Sequence, residues 1–454
     1  TALKLINELN LFPKQDANVV IDLIPDHNDA KSFSEPISEK LISLADSPVG
    51  DLAHHAGYFT LPNTTGARMF YYFFESRSGN RSEPVVAWLT GGPGCSGSLA
   101  LFYENGPFQI TSNLSLVWNE FGWDQVSNLI YVDQPIGTGF SYTSSSDDIR
   151  STSSEAAVDF YNFLEAFFEK HPEYSKNEFY LIGESYAGHY VPAFASYING
   201  RNNRSDGIYI NLKGIGIGNG LTNSGIQYKA DPDYALNMKL IDHETYDSIE
   251  PTASECERQA EACGNGTETS CSDAFRTCNT VFSDIVNSAV NGNINYYDVR
   301  KQCEGSLCYD FSNLDKFLNL KSVKEALGVG QDIDFVSCST AVYDEMANDF
   351  MKNYEDAIPQ LLRNGIRTLI YAGEYDLICN WLGNERWVEE MVWEGQAEFR
   401  RSTAEGFTVD GREMGLKRTT SIHGELTFLK VYNAGHLVPM DQPKASLEML
   451  RRFI

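Results

Sequence analysis

Apolar and polar positions along the chain fall into two alternating textures. Met69-Phe-Tyr-Tyr-Phe-Phe74, Val85-Val-Ala-Trp-Leu89, Leu129-Ile-Tyr-Val132 and Leu212-Lys-Gly-Ile-Gly-Ile217 are short apolar runs bounded by Gly, Pro or polar residues. Such runs predict buried strands. Ala157, Phe160, Tyr161, Leu164, Phe167 and Phe168 recur at helical spacing, and His171-Pro172 ends that helix. Arg367-Thr-Leu-Ile-Tyr-Ala-Gly373 and Leu426-Thr-Phe-Leu-Lys-Val-Tyr432 resume the strand pattern, and a final helix is expected over about 444–454. Strands alternating with helices predict a mostly parallel sheet covered on both faces.

Two regions break this rhythm. In the first 50 residues, Leu3, Leu5, Ile6 and Leu9 predict a short amphipathic helix stopped by Pro13, and Val19-Val-Ile-Asp-Leu-Ile24 predicts an edge strand. Residues 26–50 are rich in Asp, Ser, Pro and Glu and lack firm periodicity. Residues 1–50 therefore read either as a pro-segment with a protease-sensitive link or as a permanent extension. Between about 221 and 340 the strand pattern fades, and seven of the nine cysteines fall there. That stretch is expected to be an insertion or cap on a single catalytic domain over 51–454.

One stretch concentrates the chemistry. In Phe179-Tyr-Leu-Ile-Gly-Glu-Ser-Tyr-Ala-Gly-His-Tyr190 an apolar run ends at Gly183, and Ser185 follows within two residues. This is the pattern of a nucleophile elbow, a sharp strand-to-helix turn that lifts a serine hydroxyl above a sheet. Ala187 takes the fifth position of G-x-S-x-G, so the general form is missed by one methyl. A serine nucleophile needs a base, and the base needs an orienting acid. Asp376 follows the strand at 367–373, and His436 follows the strand at 426–432, in the order Ser, Asp, His. Gly373 and Gly435 are expected to allow sharp turns there. Thr90-Gly-Gly-Pro-Gly94 follows an early strand, where a first oxyanion donor belongs. The Gly92 and Tyr186 amides are the expected donors. These positions predict an α/β-hydrolase fold.

Composition narrows the setting. The formal net charge of −27 repels phosphate backbones and anionic membranes, which argues against nucleic-acid and membrane-surface partners. No run is long and apolar enough to span a bilayer. Nine cysteines point to the secretory pathway, as do the sequons at Asn63, Asn80, Asn113, Asn203 and Asn265. No signal peptide stands at Thr1, so the start reads as already trimmed. Zinc is the competing reading of the 256–278 cysteines, but paired C-x-x-C ligands are missing.

Five separated motifs occur in one order. They are Trp88-Leu-Thr-Gly-Gly-Pro-Gly-Cys-Ser96, Glu104-Asn-Gly-Pro107, Asp133-Gln-Pro-Ile-Gly-Thr-Gly-Phe-Ser141, Gly183-Glu-Ser-Tyr-Ala-Gly188 and Asn433-Ala-Gly-His-Leu-Val-Pro439. In these the chain resembles the serine carboxypeptidases over residues 54–454, most closely the plant type III, vacuolar-type branch. That family reads G-E-S-Y-A-G, which accounts for Ala187.

The resemblance implies release of single residues from peptide and protein C-termini, without metal or cofactor, by Ser185, Asp376 and His436. It implies that Trp88, Thr90, Gly91, Glu104 and Glu184 bind the substrate's terminal carboxylate, with Thr90 where Asn is usual. It further implies that Cys379 and Leu437 line the substrate site, Cys379 as a free thiol. It pairs Cys95 with Cys338, Cys256 with Cys278, Cys263 with Cys271, and Cys303 with Cys308. A vacuolar or extracellular location, an acidic working range and a monomer or homodimer go with it. Two glutamates suit an anion only if they share a proton in a partly dry site. Two other readings stay open: an acyltransferase of the same family, against which Glu184 speaks because those members tend to carry Asp there, and a catalytically silent binding protein, against which the complete triad speaks.

Overall fold

The computed structural model describes residues 36–43, 53–204, 207–264, 268–290, 292–305 and 307–454. Thirteen strands occur among them, in chain order β1 (Pro36–Ser43), β2 (Ala53–Thr60), β3 (Arg68–Phe74), β4 (Val85–Leu89), β5 (Phe108–Ile110), β6 (Leu116–Trp118), β7 (Asn128–Val132), β8 (Phe179–Glu184), β9 (Leu212–Gly218), β10 (Arg367–Gly373), β11 (Glu405–Val409), β12 (Arg412–Thr420) and β13 (Leu426–Val431). Eleven form one sheet, in the order β1-β2-β3-β7-β4-β8-β9-β10-β13-β12-β11. The pairs from β7 through β4, β8, β9 and β10 to β13 are parallel. Antiparallel strands extend the sheet at both ends.

The apolar runs are continuous because both faces of the central strands are covered. In β4 the alternation sends Val85, Ala87 and Leu89 to one core and Val86 and Trp88 to the other. Helices Ser153–Lys170 and Ala187–Arg204 bury Phe160, Leu164, Phe167, Val191 and Phe194 in the first core. The closing helix Pro443–Phe453 buries Leu447, Leu450 and Phe453 in the second. Thr152 caps helix Ser153–Lys170 by accepting a hydrogen bond from the Glu155 amide. This is the α/β-hydrolase architecture.

Between β9 and β10 the chain leaves the sheet over residues 219–366. The excursion opens with helices Ser224–Asn237, His243–Gly264 and Glu268–Ser288. Disulfides Cys256–Cys278 and Cys263–Cys271 join the last two, so none of these sulfurs remains as a thiolate for zinc. Cys303–Cys308 closes a short loop, and Cys95–Cys338 ties the turn after β4 to the excursion. Among the described residues no helix is long and apolar enough to cross a membrane.

At the N-terminus, the stretch expected to lack regular structure contains β1, which pairs antiparallel with β2 over Ser43↔Ala53 to Pro36↔Phe59. An edge strand of this kind is held by main-chain hydrogen bonds to its neighbour, so it needs no strong side-chain alternation. The helix expected near Leu3–Leu9 and the strand expected at 19–24 lie outside the described residues.

Candidate active site

The elbow follows β8. Ser185 has φ +65°, in the left-handed region that a side chain rarely occupies without surrounding constraint. Its amide donates to Gly218 O at 3.0 Å, and its carbonyl accepts from Leu221 N–H at 2.9 Å. Packing explains the neighbouring small residues. A Cβ on Gly183 would lie 2.6 Å from the Ala187 Cβ, and one on Gly188 would lie 2.4 Å from Leu221 O. The methyl of Ala187 thus fills the space Gly183 leaves, and the two glycines supply the close approach.

His436 and Asp376 come from the ends of β13 and β10. His436 Nδ1 lies 2.8 Å from Asp376 Oδ2, and both residues are buried. The same Oδ2 accepts from Asn219 Nδ2 at 2.8 Å and from the Cys379 amide at 3.2 Å. Asn219 is itself fixed: its amide donates to Tyr371 O, and its Oδ1 accepts from Gly373 N–H. With Nδ1–H turned to Asp376, the His436 Nε2 lone pair is free, and among the described residues Nε2 has no hydrogen-bond partner. Ser185 and His436 both line one cleft of about 130 Å³.

Gly373 and Gly435 serve a different purpose from the turn geometry the sequence suggests. Neither has positive φ; Asn433, at +56°, takes that position. A Cβ on Gly373 would lie 1.9 Å from Gly435 O, and one on Gly435 would lie 2.4 Å from Tyr297 O. The glycines let the Asp376 and His436 turns touch each other and the excursion. His436 N–H donates to Tyr297 O at 2.7 Å, and Gly435 N–H to Asp441 Oδ2 at 2.7 Å.

The segment after β4 lies directly against the elbow. A Cβ on Gly91 would meet Tyr186 N at 2.4 Å and the Ser185 Cβ at 2.9 Å. Gly92 turns with φ +109°. Among the described residues neither the Gly92 nor the Tyr186 amide has a hydrogen-bond acceptor. Two free N–H groups therefore stand beside Ser185, and the helix that starts at Ala187 adds its positive end.

Glu184 lines the cleft, and Glu104 lies behind it, hydrogen-bonded to it and buried. Burial pushes Glu104 up to about 8, against the lowering effect of the Glu184 hydrogen bond and with help from Asp441. Burial and then the Glu104 charge push Glu184 well above the usual carboxylate range. The pair therefore keeps protonated carboxyl groups at acidic and neutral pH. Trp88 does not line the cleft. It is buried beneath Thr90, and its Nε1 donates to Thr90 Oγ1 at 3.1 Å. Because Oγ1 accepts that bond, the Thr90 O–H is left to donate into the cleft. Thr90, Gly91 and Leu437 also line it.

Cys379 is the free cysteine among the described residues, buried on the cleft wall. Burial first, then the Asp376, Asp231 and Glu184 charges, push its thiol well above its ordinary range. Of the sequon asparagines, Asn63, Asn80, Asn113 and Asn203 are exposed, and Asn265 lies outside the described residues. The sequence reading missed Asn219, which stands in a bare Gly-Asn-Gly after β9. It also missed the aromatic wall built from Tyr228, Tyr297, Tyr309, Phe311 and Phe350 of the excursion. Apart from Tyr228 on helix Ser224–Asn237, these residues sit in irregular segments, so no periodicity marks them.

A family model described as serine carboxypeptidase matches residues 46–454. Serine carboxypeptidase-like 49 of Arabidopsis thaliana is 56% identical, over 99% of this chain and 87% of that protein. Serine carboxypeptidase 3 of Oryza sativa subsp. japonica is 56% identical, over 99% and 88%. The solved structure of KEX1(Δ)p, a prohormone-processing carboxypeptidase from Saccharomyces cerevisiae, superposes with a TM-score of 0.80 at 27% identity, over 90% of this chain and 92% of that one. The chain belongs to the serine carboxypeptidase family, and it is a serine-type carboxypeptidase, a hydrolase.

Proposed function

We propose that this enzyme removes single amino acids from peptide C-termini through an acyl-enzyme on Ser185, working best in acid. Ser185 Oγ attacks the carbonyl of the last peptide bond while His436 Nε2 takes its proton. The Gly92 and Tyr186 amides hold the oxyanion. The C–N bond breaks as His436 returns the proton to the leaving amine. Water then attacks the acyl carbon, His436 takes its proton, and the free acid leaves Ser185 Oγ restored. Asp376, held by Asn219, keeps the imidazole in the tautomer this sequence needs.

The observation that carries the exopeptidase reading is the buried Glu104–Glu184 pair immediately beside the elbow. A carboxyl that keeps its proton donates to a substrate carboxylate, and the Thr90 hydroxyl adds a second donor. A chain that continued past this point would bury the pair without a partner. The aromatic wall suits apolar substrate side chains.

Incubation with a blocked dipeptide and with an acyl-glucose ester, each with and without an acceptor alcohol, tests the reading. Release of the terminal amino acid, abolished in Ser185→Ala together with labelling by a serine-directed phosphonate, is the expected result. Acyl transfer to the alcohol without peptide cleavage would replace it with the acyltransferase reading. Residues 1–50 are proposed as a pro-segment that hinders access to Ser185 or assists folding before it is removed; unchanged kcat/KM after trimming ends the inhibitory role, and normal folding yield without residues 1–50 ends the folding role. Four disulfides and exposed sequons support passage through the secretory pathway, to a vacuole or the cell exterior.

A further inference from the structure

Beneath the elbow lies a buried carboxylate that the chemistry above does not use. Asp349 is 0% exposed and stands near the end of the excursion. Four donors from three stretches of chain converge on it: the Tyr186 hydroxyl to Oδ2 at 2.8 Å, the Ser153 amide and hydroxyl to the same oxygen at 2.9 and 2.6 Å, and the Tyr354 hydroxyl to Oδ1 at 2.8 Å. Lys352 Nζ lies 3.2 Å from Oδ1. Burial pushes this carboxyl up, but the His189 charge, the Ser153 bonds and Lys352 outweigh it and hold Asp349 below its ordinary value. The folded protein therefore keeps it ionised, and its bonds are charge-assisted.

The consequence falls on Tyr186. Its amide is one of the two free N–H groups at the elbow, and its phenol is the group Asp349 holds. The ring between them is packed on several sides, with His189 stacked at 4.6 Å, Phe350 at 4.8 Å and Tyr190 at 5.1 Å. A residue pinned at its tip and packed along its ring resists rotation of its own peptide. Asp349 also places Phe350, the next residue, on the cleft wall.

We propose that Asp349 is a positioning residue, which through the Tyr186 phenol fixes the direction of the Tyr186 N–H and so couples the seating of the excursion to the oxyanion hole. The inference rests on the reading of Gly92 and Tyr186 as the donors that serve Ser185. Ser153 and Tyr354 brace Asp349 from the catalytic body and from the excursion.

The test uses the full chain with Asp349→Asn, Tyr186→Phe and both together. It measures kcat and KM on a blocked dipeptide, inhibition by a peptide aldehyde, and inhibition by the amino-acid product. The aldehyde forms a hemiacetal whose oxygen occupies the hole, and the product does not. Each single variant is expected to lose about tenfold in kcat, part of the 10²–10³ that a whole oxyanion donor supplies, with KM within about twofold. Aldehyde affinity falls in parallel, and product affinity holds. The double variant is no worse than Asp349→Asn alone, because the bond that Tyr186→Phe removes is already compromised there. Wild-type kcat in Tyr186→Phe overturns the proposal, as does a double loss equal to the product of the single losses. So does an equal fall in aldehyde and product affinity, the mark of a merely structural role. If Asp349→Asn fails to fold, Tyr186→Phe decides alone. Phosphonate labelling separates the two levels: labelling that survives Ser185→Ala removes the reading of Ser185, whereas labelling lost there with kcat intact in Tyr186→Phe removes only the inference.

Discussion

The Glu104–Glu184 pair makes a quantitative prediction about pH and the terminal carboxylate. Glu104 is pushed up to about 8 by burial, and Glu184 lies well above the usual range. Below that point the pair holds a proton and donates it to a free-acid peptide. As protons leave above it, the pair gains negative charge and repels the same peptide. KM for a free-acid substrate should stay nearly flat from about pH 5 to about pH 7, about double by pH 8, and climb towards tenfold for each unit above that, since one pKa unit corresponds to about 1.4 kcal/mol. The matching peptide amide has no carboxylate to lose contact with, so its KM should not follow that climb. Glu104→Gln replaces the shared proton with a permanent amide donor, and its free-acid KM should lose the climb. The assay is stopped-flow release of a chromophoric N-acyl dipeptide and its amide across that range. Parallel KM curves for acid and amide in the wild type would refute the proton-sharing argument outright.

Three further outcomes follow from the geometry. Gly91→Ala places a methyl 2.4 Å from Tyr186 N and should cost about 10²-fold in kcat/KM by displacing the reacting groups, with a lower thermal midpoint from the overpacking; a variant within threefold of wild type contradicts the packing argument. Asn219→Ala removes a 2.8 Å donor from buried Asp376 and should lower kcat by about 10-fold or more with KM held, while a pure KM effect would show that Asn219 does not act through Asp376. Stability should fall as pH rises from about 5 to about 8: burial pushes Asp133 and Glu355 to about 7 and Glu104 to about 8, so the folded chain binds more protons in that window than the unfolded chain does, and a urea midpoint equal or higher at the upper end would contradict this.

The positions of the chemistry were legible because each reacting turn follows a largely apolar strand. The runs at β4, β8, β10 and β13 announce themselves, and the turns after them bring Gly91–Gly92, Ser185, Asp376 and His436 together at one edge of the parallel strands. What escaped notice has physical causes too. Strands β11 and β12 are half-exposed, so their alternation is weak. Apart from Tyr228 on helix Ser224–Asn237, the aromatic wall comes from irregular segments of the excursion, where only tertiary packing decides which rings face the cleft. Trp88 was expected at the carboxylate; it is one layer back, aligning Thr90, a distinction that spacing along β4 cannot express. Gly373 and Gly435 look like turn glycines in the sequence and prove to be contact glycines, because the approach of two turns distant in sequence is invisible until the sheet forms.

The disulfide from Cys95 to Cys338 spans 243 positions and joins the turn after β4 to the excursion. Because Asp349 fastens the same excursion to Tyr186 and Ser153, the substrate wall is not a module that can be exchanged on its own. A chimera that imports the excursion of a relative imports half of a covalent link and half of the brace under the elbow. Transplants that carry Cys95, Ser153 and Tyr186 with the excursion keep both halves matched. Altering selectivity in this scaffold is therefore better attempted at single wall positions such as Tyr228 or Phe311 than by swapping the whole segment.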